Sequence, residues 1–227
     1  MTADWGSRSA ASADTAYAIL RDRIINGELM PNERLVEVDL AASLGVGRAA
    51  VRTLLVGLQH EGLVIREPHR GARVRMVTEA EVLEITQARA VLESLAAREA
   101  ASRATDEEIA HMRQTLAEMR TLLDAGDLLA YSDGNARLHA AVLAASQHKT
   151  AVRLIAGLKA QMVRFQYRTV LVPGRSMQSI VEHTAIVDAI EAHNPDAAEA
   201  AMRHHLSQVA STLRETQTAR QQHASGH

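Results

Sequence analysis

Glu33–Val64, ERLVEVDLAASLGVGRAAVRTLLVGLQHEGLV, is the stretch on which the fold turns. Ala41, Gly45 and Val51 stand at the spacing A-x3-G-x5-V, with Leu40, Leu44, Val46 and Leu54 apolar around them. A helix over about 36–44 needs a small residue at Ala41 so that a second helix can cross it closely. Gly45 falls where a sharp turn asks for a positive φ, which glycine adopts without steric cost. Val46 and Val51 plug the angle between the helices. In the second helix Val51, Leu54, Leu55 and Leu58 recur at i, i+3, i+4 and i+7, one buried face. Arg48, Ala49, Arg52 and Thr53 are left facing outward. The pattern is that of a helix-turn-helix whose second helix enters a DNA major groove.

An ordinary pair of packed helices would satisfy the bare spacing, so the residues that follow matter. Leu63–Arg66 and Ala72–Met76 are β-rich runs on either side of Glu67-Pro68-His69-Arg70-Gly71, a hairpin with a Pro/Gly turn. Glu33–Leu35 is expected to add a third strand. Between residues 48 and 75 lie six arginines (48, 52, 66, 70, 73 and 75) against Glu61 and Glu67. That basic cluster sits on the helix start and the hairpin, where a winged helix meets backbone phosphates. Arg34, Arg48, Ala49, Arg52, Thr53, His69, Arg70 and Gly71 are the expected DNA-contacting positions.

The rest of the chain adds bounds. At 227 residues it has room for one or two domains. Its net charge is −2, so only the local arginine cluster speaks for nucleic acid. Aromatic residues are 2% of the chain, which argues against a base-stacking platform for single strands. The absence of cysteine excludes disulfides and thiolate metal sites and fits a cytoplasmic protein. No run reaches the length of a membrane span, and the N-terminus lacks the pattern of a signal peptide.

The expected organisation is a disordered N-terminus over 1–12, a winged helix-turn-helix domain over 13–76, an all-α domain over 79–216 and a disordered tail over 217–227. The fold class is mainly α. In the second domain Thr78-Glu79-Ala80-Glu81 opens a helix to about Ser102. Thr105–Glu108 opens another, stopped by Gly126. A third runs from Asp127 to about Ser146, loosened at Gly134. A fourth covers 150–170, a fifth 176–193, and Asn194-Pro195 starts a sixth that fades after about Thr216.

Three of the eleven histidines fall at suggestive places on three different helices. His139 stands four residues after Asn135, so the two share a face; His183 lies in Glu182–Ile186; His205 precedes Leu206. Three imidazoles directed into a bundle can hold a first-row divalent ion. By spacing alone, polar histidines paired with core acids are the more ordinary reading. Arg89 and Glu93, at i and i+4, are either a surface ion pair or an arginine fork for a carboxylate ligand.

The two halves together resemble a GntR-family transcription regulator of the FadR type, with a winged helix followed by an FCD ligand domain. The resemblance spans about 15–213. It rests on Ile25–Pro31, Arg34-Leu35, Leu44-Gly45-Val46, Arg48, Val51-Arg52, Glu61–Val64 and Arg70-Gly71, then on Arg89-x-x-Leu92-Glu93, Asn135-x-x-Leu138-His139, Glu182-His183-x-x-Ile186 and His205-Leu206. The count of about six bundle helices is similar to that of the VanR-like branch. The resemblance implies a metal site at Asn135, His139, His183 and His205, holding zinc, with nickel and manganese as alternatives. It also implies an effector pocket for small organic acids, to which Arg89 and Glu93 belong. Departures from the family pattern are Gly47 for serine, Ala49-Ala50 for Thr-Pro, Leu138 for phenylalanine, Asn32 for glycine and Asn135 for aspartate. Four neutral ligands would leave the charge of a divalent ion uncompensated, favouring an anionic effector.

The expectation is thus a homodimeric, non-enzymatic bacterial repressor that binds a pseudo-palindromic operator in double-stranded DNA under control of a carboxylate effector. One rival is a regulator that senses the metal itself. The other is a helical metal-dependent hydrolase, which needs a general base beside a metal-bound water; Glu182, the carboxylate nearest in sequence, is expected to point elsewhere.

Overall fold

Helix α1 (Ala13–Ile25) buries Ala16, Leu20 and Ile24, one stripe at four-residue spacing. Here, in a computed structural model, residues 13–67, 71–162, 165 and 169–225 are described. They divide into two units, Met1–Val77 and Thr78–His227. After α1 come strand β1 (Arg34–Leu35) and helices α2 (Glu37–Leu44) and α3 (Arg48–His60). Gly45 closes α2 at φ +67°, its N–H bonded to the Ala41 carbonyl, the left-handed cap that its position demands. The chain bends 103° between α2 and α3, and Val51, Leu54, Leu55 and Leu58 form the buried face of α3.

Gly57 serves a second contact on α3. A Cβ there would lie 2.7 Å from Tyr17 Cε2, so the glycine admits the Tyr17 ring. The Tyr17 hydroxyl donates to Glu61 Oε1 at 2.6 Å, and Arg21 Nε donates to Glu61 Oε2 at 2.8 Å. Burial and the adjacent Glu61 push the Tyr17 phenol up to about 12. One carboxylate thus ties the side of α1 to the end of α3.

The hairpin is β2 (Val64–Glu67) and β3 (Gly71–Val74), paired antiparallel with Val64 opposite Val74 and Glu67 opposite Gly71. β1 joins on the other side of β3, giving the order β1-β3-β2. Asn32, at the position where the family carries glycine, has φ +63°. Asparagine is the side chain that tolerates this region best, so the substitution keeps the turn. Its N–H donates to the Val74 carbonyl at 2.9 Å.

The second unit contains, among its described residues, six helices and no strand: α4 (Glu79–Arg103), α5 (Asp106–Asp124), α6 (Leu128–Ala145), α7 (Lys149–Gln161), α8 (Arg175–Glu191) and α9 (Pro195–Ser225). Polar caps start five of them, while α8 follows Gly174 with no side-chain cap. The Thr78 hydroxyl accepts from Glu81 N, Thr105 and Glu108 form a reciprocal capping box, and Asp127 accepts from Ala130 N. His148 Nδ1 caps α7 and Asn194 Oδ1 accepts from Ala197 N. The core runs through α4, α5, α6, α8 and α9, around Met112, Met119, Tyr131, Leu138, Ile186, Ile190, Met202 and Leu206.

Three expectations change. Helix α6 is not loosened at Gly134; a Cβ there would lie 2.7 Å from Met119 Cγ, so the glycine lets α5 approach. Helix α7 stops at Gln161, short of residue 170, where Met162 leaves helical geometry with its N–H on the Lys159 carbonyl; the Thr169-Val170 run beyond it is a poor helix former. Helix α9 continues to Ser225, so 217–225 is not a disordered tail. That segment carries no breaker, and Arg220 NH1 reaches Glu79 Oε1 at 3.2 Å. The expectation of disorder over 1–12 lies outside the described residues. Among the described residues, no single helix is long and apolar enough to cross a membrane.

Candidate metal centre and DNA-reading face

Three helices of the second unit bring their imidazoles together. His139 from α6, His183 from α8 and His205 from α9 each offer a ring nitrogen, all within 4.8 Å of one another. Their ring centroids are 4.4–5.4 Å apart. All three are buried, His183 at 1% exposure. Their placement follows from helical spacing: Leu138, Ile186 and Leu206, neighbours of the histidines in sequence, lie in the main core.

What surrounds each ring differs. His139 Nδ1 is 2.7 Å from Glu93 Oε2, and Arg89 Nε donates to the other Glu93 oxygen at 2.8 Å. His205 Nδ1 is 2.7 Å from Glu182 Oε2, and Arg175 grips both Glu182 oxygens, NH1 at 3.1 Å and NH2 at 2.8 Å. Two Arg–Glu–His chains therefore flank the cluster. Between them His183 has neither ring nitrogen hydrogen-bonded. One turn before His139, Asn135 Oδ1 is likewise buried without a partner.

The charges set the tautomers. Burial would raise Glu93, but Arg89, His139 and Lys159 hold its carboxyl well below the usual range. Glu182 is also lowered, by His205 and Arg175 against the cost of burial. Burial pushes His139 down to about 4, although Glu93 pulls the other way. His183 is pushed well below its ordinary value by burial, then by the other two histidines; His205 is lowered by burial against the pull of Glu182. Ionised carboxylates only accept hydrogen bonds, so Nδ1 of His139 and of His205 carries the proton and Nε2 keeps its lone pair. Neutral imidazoles with a carboxylate behind them are the form in which histidine binds divalent ions. Buried polar atoms without partners are costly to keep; a cation among the three imidazoles would satisfy His183, and Asn135 offers a further unpartnered oxygen one turn before His139. The donor set fits a divalent ion that accepts nitrogen and oxygen ligands, zinc foremost.

Arg89 and Glu93 are not a surface pair: their side chains are 14% and 0% exposed. Arg89 and Glu93 bond to each other, and Glu93 also backs His139, so the carboxylate is occupied by the protein. The reading of four neutral ligands without protein compensation is corrected accordingly, because two ionised acids stand directly behind two of the rings. Glu182, expected to point elsewhere, is bonded to His205, directly behind one of the clustered rings. Arg175, Glu182 and Lys159 belong to this surround and were not among the expected site residues. The spacing Arg175-x6-Glu182 on one helix face was the available signal. Lys159, on α7, is held below its ordinary value by burial while Glu93 opposes the shift.

On the first unit, Arg48 is the exposed first residue of α3, and Ala49, Arg52 and Thr53 are exposed beside it. Arg34 is exposed on β1, and Gly71 opens β3 at φ +86°. His69 and Arg70 lie outside the described residues. Gly47 is the N-cap of α3 with no side-chain cap bond, as expected from the missing serine hydroxyl. The Thr53 hydroxyl donates to the Ala49 carbonyl at 3.3 Å. Arg52 Nε donates to Glu37 Oε2 at 2.8 Å.

The chain matches two family models: bacterial regulatory proteins, gntR family, over residues 12–74, and the FCD domain over residues 84–208. The HTH-type transcriptional repressor RspR of Escherichia coli is 26% identical over 199 residues, 88% of this chain and 87% of that protein. A probable D-xylose utilization operon transcriptional repressor of Paenarthrobacter nicotinovorans is 28% identical over 201 residues, 85% and 86% of the two chains. The solved structure of Escherichia coli McbR/YncC superposes with a TM-score of 0.70 at 19% identity, covering 91% of this chain and 98% of that one. A putative GntR transcriptional regulator from a Rhodococcus species gives 0.67 at 22% identity, covering 89% and 97%. These families are regulators rather than enzymes, which removes the hydrolase reading. With both models matched in order along one chain, the protein belongs to the GntR-family, FCD-domain regulators, DNA-binding transcription factors.

Proposed function

We propose that this chain is a repressor whose hold on its operator is set by a small carboxylate bound at a metal centre in the FCD domain. Asn135, His139, His183 and His205 are the metal ligands, and Arg89, with Arg175 and Lys159 nearby, supplies positive charge for the effector. The observation that carries the reading is His183, buried to 1% exposure with both ring nitrogens unbonded, between two imidazoles whose tautomers are fixed by Glu93 and Glu182. A bound divalent ion supplies a charge and an open coordination position that can take a carboxylate oxygen. Repression is the role named for the two relatives compared above. A two-fold homodimer on a pseudo-palindromic operator follows from one winged helix covering one half-site, and DNA as the partner places the protein in the cytoplasm. Arg34, Arg48, Ala49, Arg52, Thr53, His69, Arg70 and Gly71 are the DNA-contacting positions.

The test begins with chelator-stripped protein, titrated calorimetrically with Zn²⁺, Ni²⁺ and Mn²⁺ beside His183→Ala. Stoichiometric uptake by the parent and a large loss in the variant are expected. Equal uptake by both would overturn the ligand assignment. A thermal-shift screen of carboxylic acids on stripped and metal-loaded protein, followed by operator binding, then separates effector control from metal sensing. If chelation alone changes DNA affinity and no acid does, the ion is the signal.

A further inference from the structure

The outward face of α3 is poor in polar readers. Gly47, Ala49 and Ala50 have no polar side-chain atom, and the Thr53 hydroxyl is engaged with the Ala49 carbonyl. In the first two turns the remaining groups are the guanidiniums of Arg48 and Arg52. Of these, Arg52 is the one fixed by a bond among the described residues: its Nε is bonded to Glu37 Oε2 at 2.8 Å, from the first residue of α2 across the 103° bend. The two side chains are 62% and 31% exposed, and ion pairs in such settings contribute little to folding. Their effect is on orientation. Anchoring Nε fixes the plane of a long flexible side chain, while NH1 and NH2 make no bond among the described residues.

We infer that Glu37 and Arg52 form one base-reading unit, in which Glu37 is a positioning residue that presents the terminal nitrogens of Arg52 end-on to guanine O6 and N7 in the major groove. The two nitrogens match the two acceptors of guanine's major-groove edge, which no other base pair displays together. The carboxylate has a second effect. A negative charge beside the duplex weakens approach to any DNA, and only the guanine contact offsets it. The pair therefore selects more than it grips. Its loss should relax specificity and leave general affinity intact or higher, the reverse of losing a phosphate contact.

The experiment uses the full-length protein and a duplex selected by it from a randomised pool. Fluorescence anisotropy at one salt concentration gives Kd for that duplex, for versions with each guanine of a half-site replaced in turn, and for an unrelated duplex. For the parent, replacing one guanine per half-site should weaken binding about tenfold or more. In Glu37→Ala that same penalty should fall to about threefold or less, with affinity for the unrelated duplex unchanged or a few-fold tighter. Arg52→Ala should lose discrimination at the same base pair, and Glu37→Gln, which keeps an acceptor without charge, should lie between. Thermal midpoints near that of the parent exclude unfolding as the cause. The inference is overturned if Glu37→Ala keeps the full penalty at every guanine. It is equally overturned if that variant loses affinity uniformly over all duplexes.

Discussion

At 2.8 Å, the Arg52–Glu37 pair of the first unit and the Arg89–Glu93 and Arg175–Glu182 pairs of the second are the same bond in different media. The first stands in water, 62% and 31% exposed, and joins two helices that already pack through apolar residues. The other two are sealed, with exposures of 14% and 0% and of 4% and 9%. Burial changes what the bond is for. An exposed pair can lose its partner at little cost to folding, whereas a buried pair whose partner is deleted leaves a charge stranded in low dielectric. The pair on the DNA-binding unit is adjustable, and the pairs in the FCD unit are held.

The sharpest way to break that contrast is to delete a buried acid. Glu93→Ala leaves Arg89 without its carboxylate and His139 without the acceptor on Nδ1. It should lower the unfolding free energy of the metal-free protein by about 3–5 kcal/mol, the usual cost of breaking a buried pair, measured by denaturant titration. A loss below about 1 kcal/mol would mean that water reaches this carboxylate and that the two classes of pair do not differ. The milder Glu182→Gln, if it folds, should weaken Zn²⁺ binding about 10–100-fold through His205 alone.

Metal comes next. Loaded at about a hundredfold excess over its Kd, a divalent ion should stabilise the second unit by about 2.7 kcal/mol, visible as a rise in Tm that His183→Ala abolishes. The stripped protein should be sensitive to acid. His139 sits at about 4 when folded, against 6.5 for the free side chain, so its contribution is fully present above pH 6.5. Between 6.5 and about 4 the unfolded chain takes up a proton that the folded one refuses, so stability falls as pH falls through that window. A flat Tm for stripped protein between pH 7 and 5 would show that the cluster is wetter than its burial indicates.

How much of this was legible in the sequence depends on the distance over which a signal acts. Gly45, the α3 apolar face, the helix start at Thr105–Glu108 and the Asn194-Pro195 start are local, decided within a turn or two, and the structure carries each as read. Asn32 at φ +63° is local too. The end of α7 was not legible because an apolar run looks helical whether or not the backbone stays in register, and the persistence of α9 was missed because its last turns lack an apolar face. At the candidate site, three histidines on three helices were visible as candidates, but their convergence was not; spacing left them as ordinary core histidines, and the resemblance tipped the reading. Glu93 was legible as a partner of Arg89 and not of His139, 46 residues away on another helix. Arg52 and Glu37 are 15 residues apart and meet only because the chain bends between their helices.

A contact inside the first unit gives an intermediate effect. Gly57→Ala places a methyl group against the Tyr17 ring, whose hydroxyl is tied to Glu61. Alanine is intrinsically better than glycine in a helix by about 0.8–1.0 kcal/mol, so any net loss reports the clash. A cost of about 1–2 kcal/mol in the unfolding free energy is expected after that gain, recovered in a Gly57→Ala, Tyr17→Leu double variant if the ring is the obstacle.

The smallest expected change in stability is the one that bears most on function. Glu37→Ala removes an exposed pair and an acidic residue from the first turn of α2, where it faces the positive end of the helix dipole, so the loss should be at most about 1 kcal/mol. A thermal melt should barely register it. If instead Glu37→Ala destabilises the protein as much as Glu93→Ala, the pair holds the α2–α3 angle and its exposure is misleading. If the melt is unmoved while guanine discrimination falls, the same Arg–Glu bond has been used in one molecule for two ends, rigidity where it is buried and selectivity where it meets water.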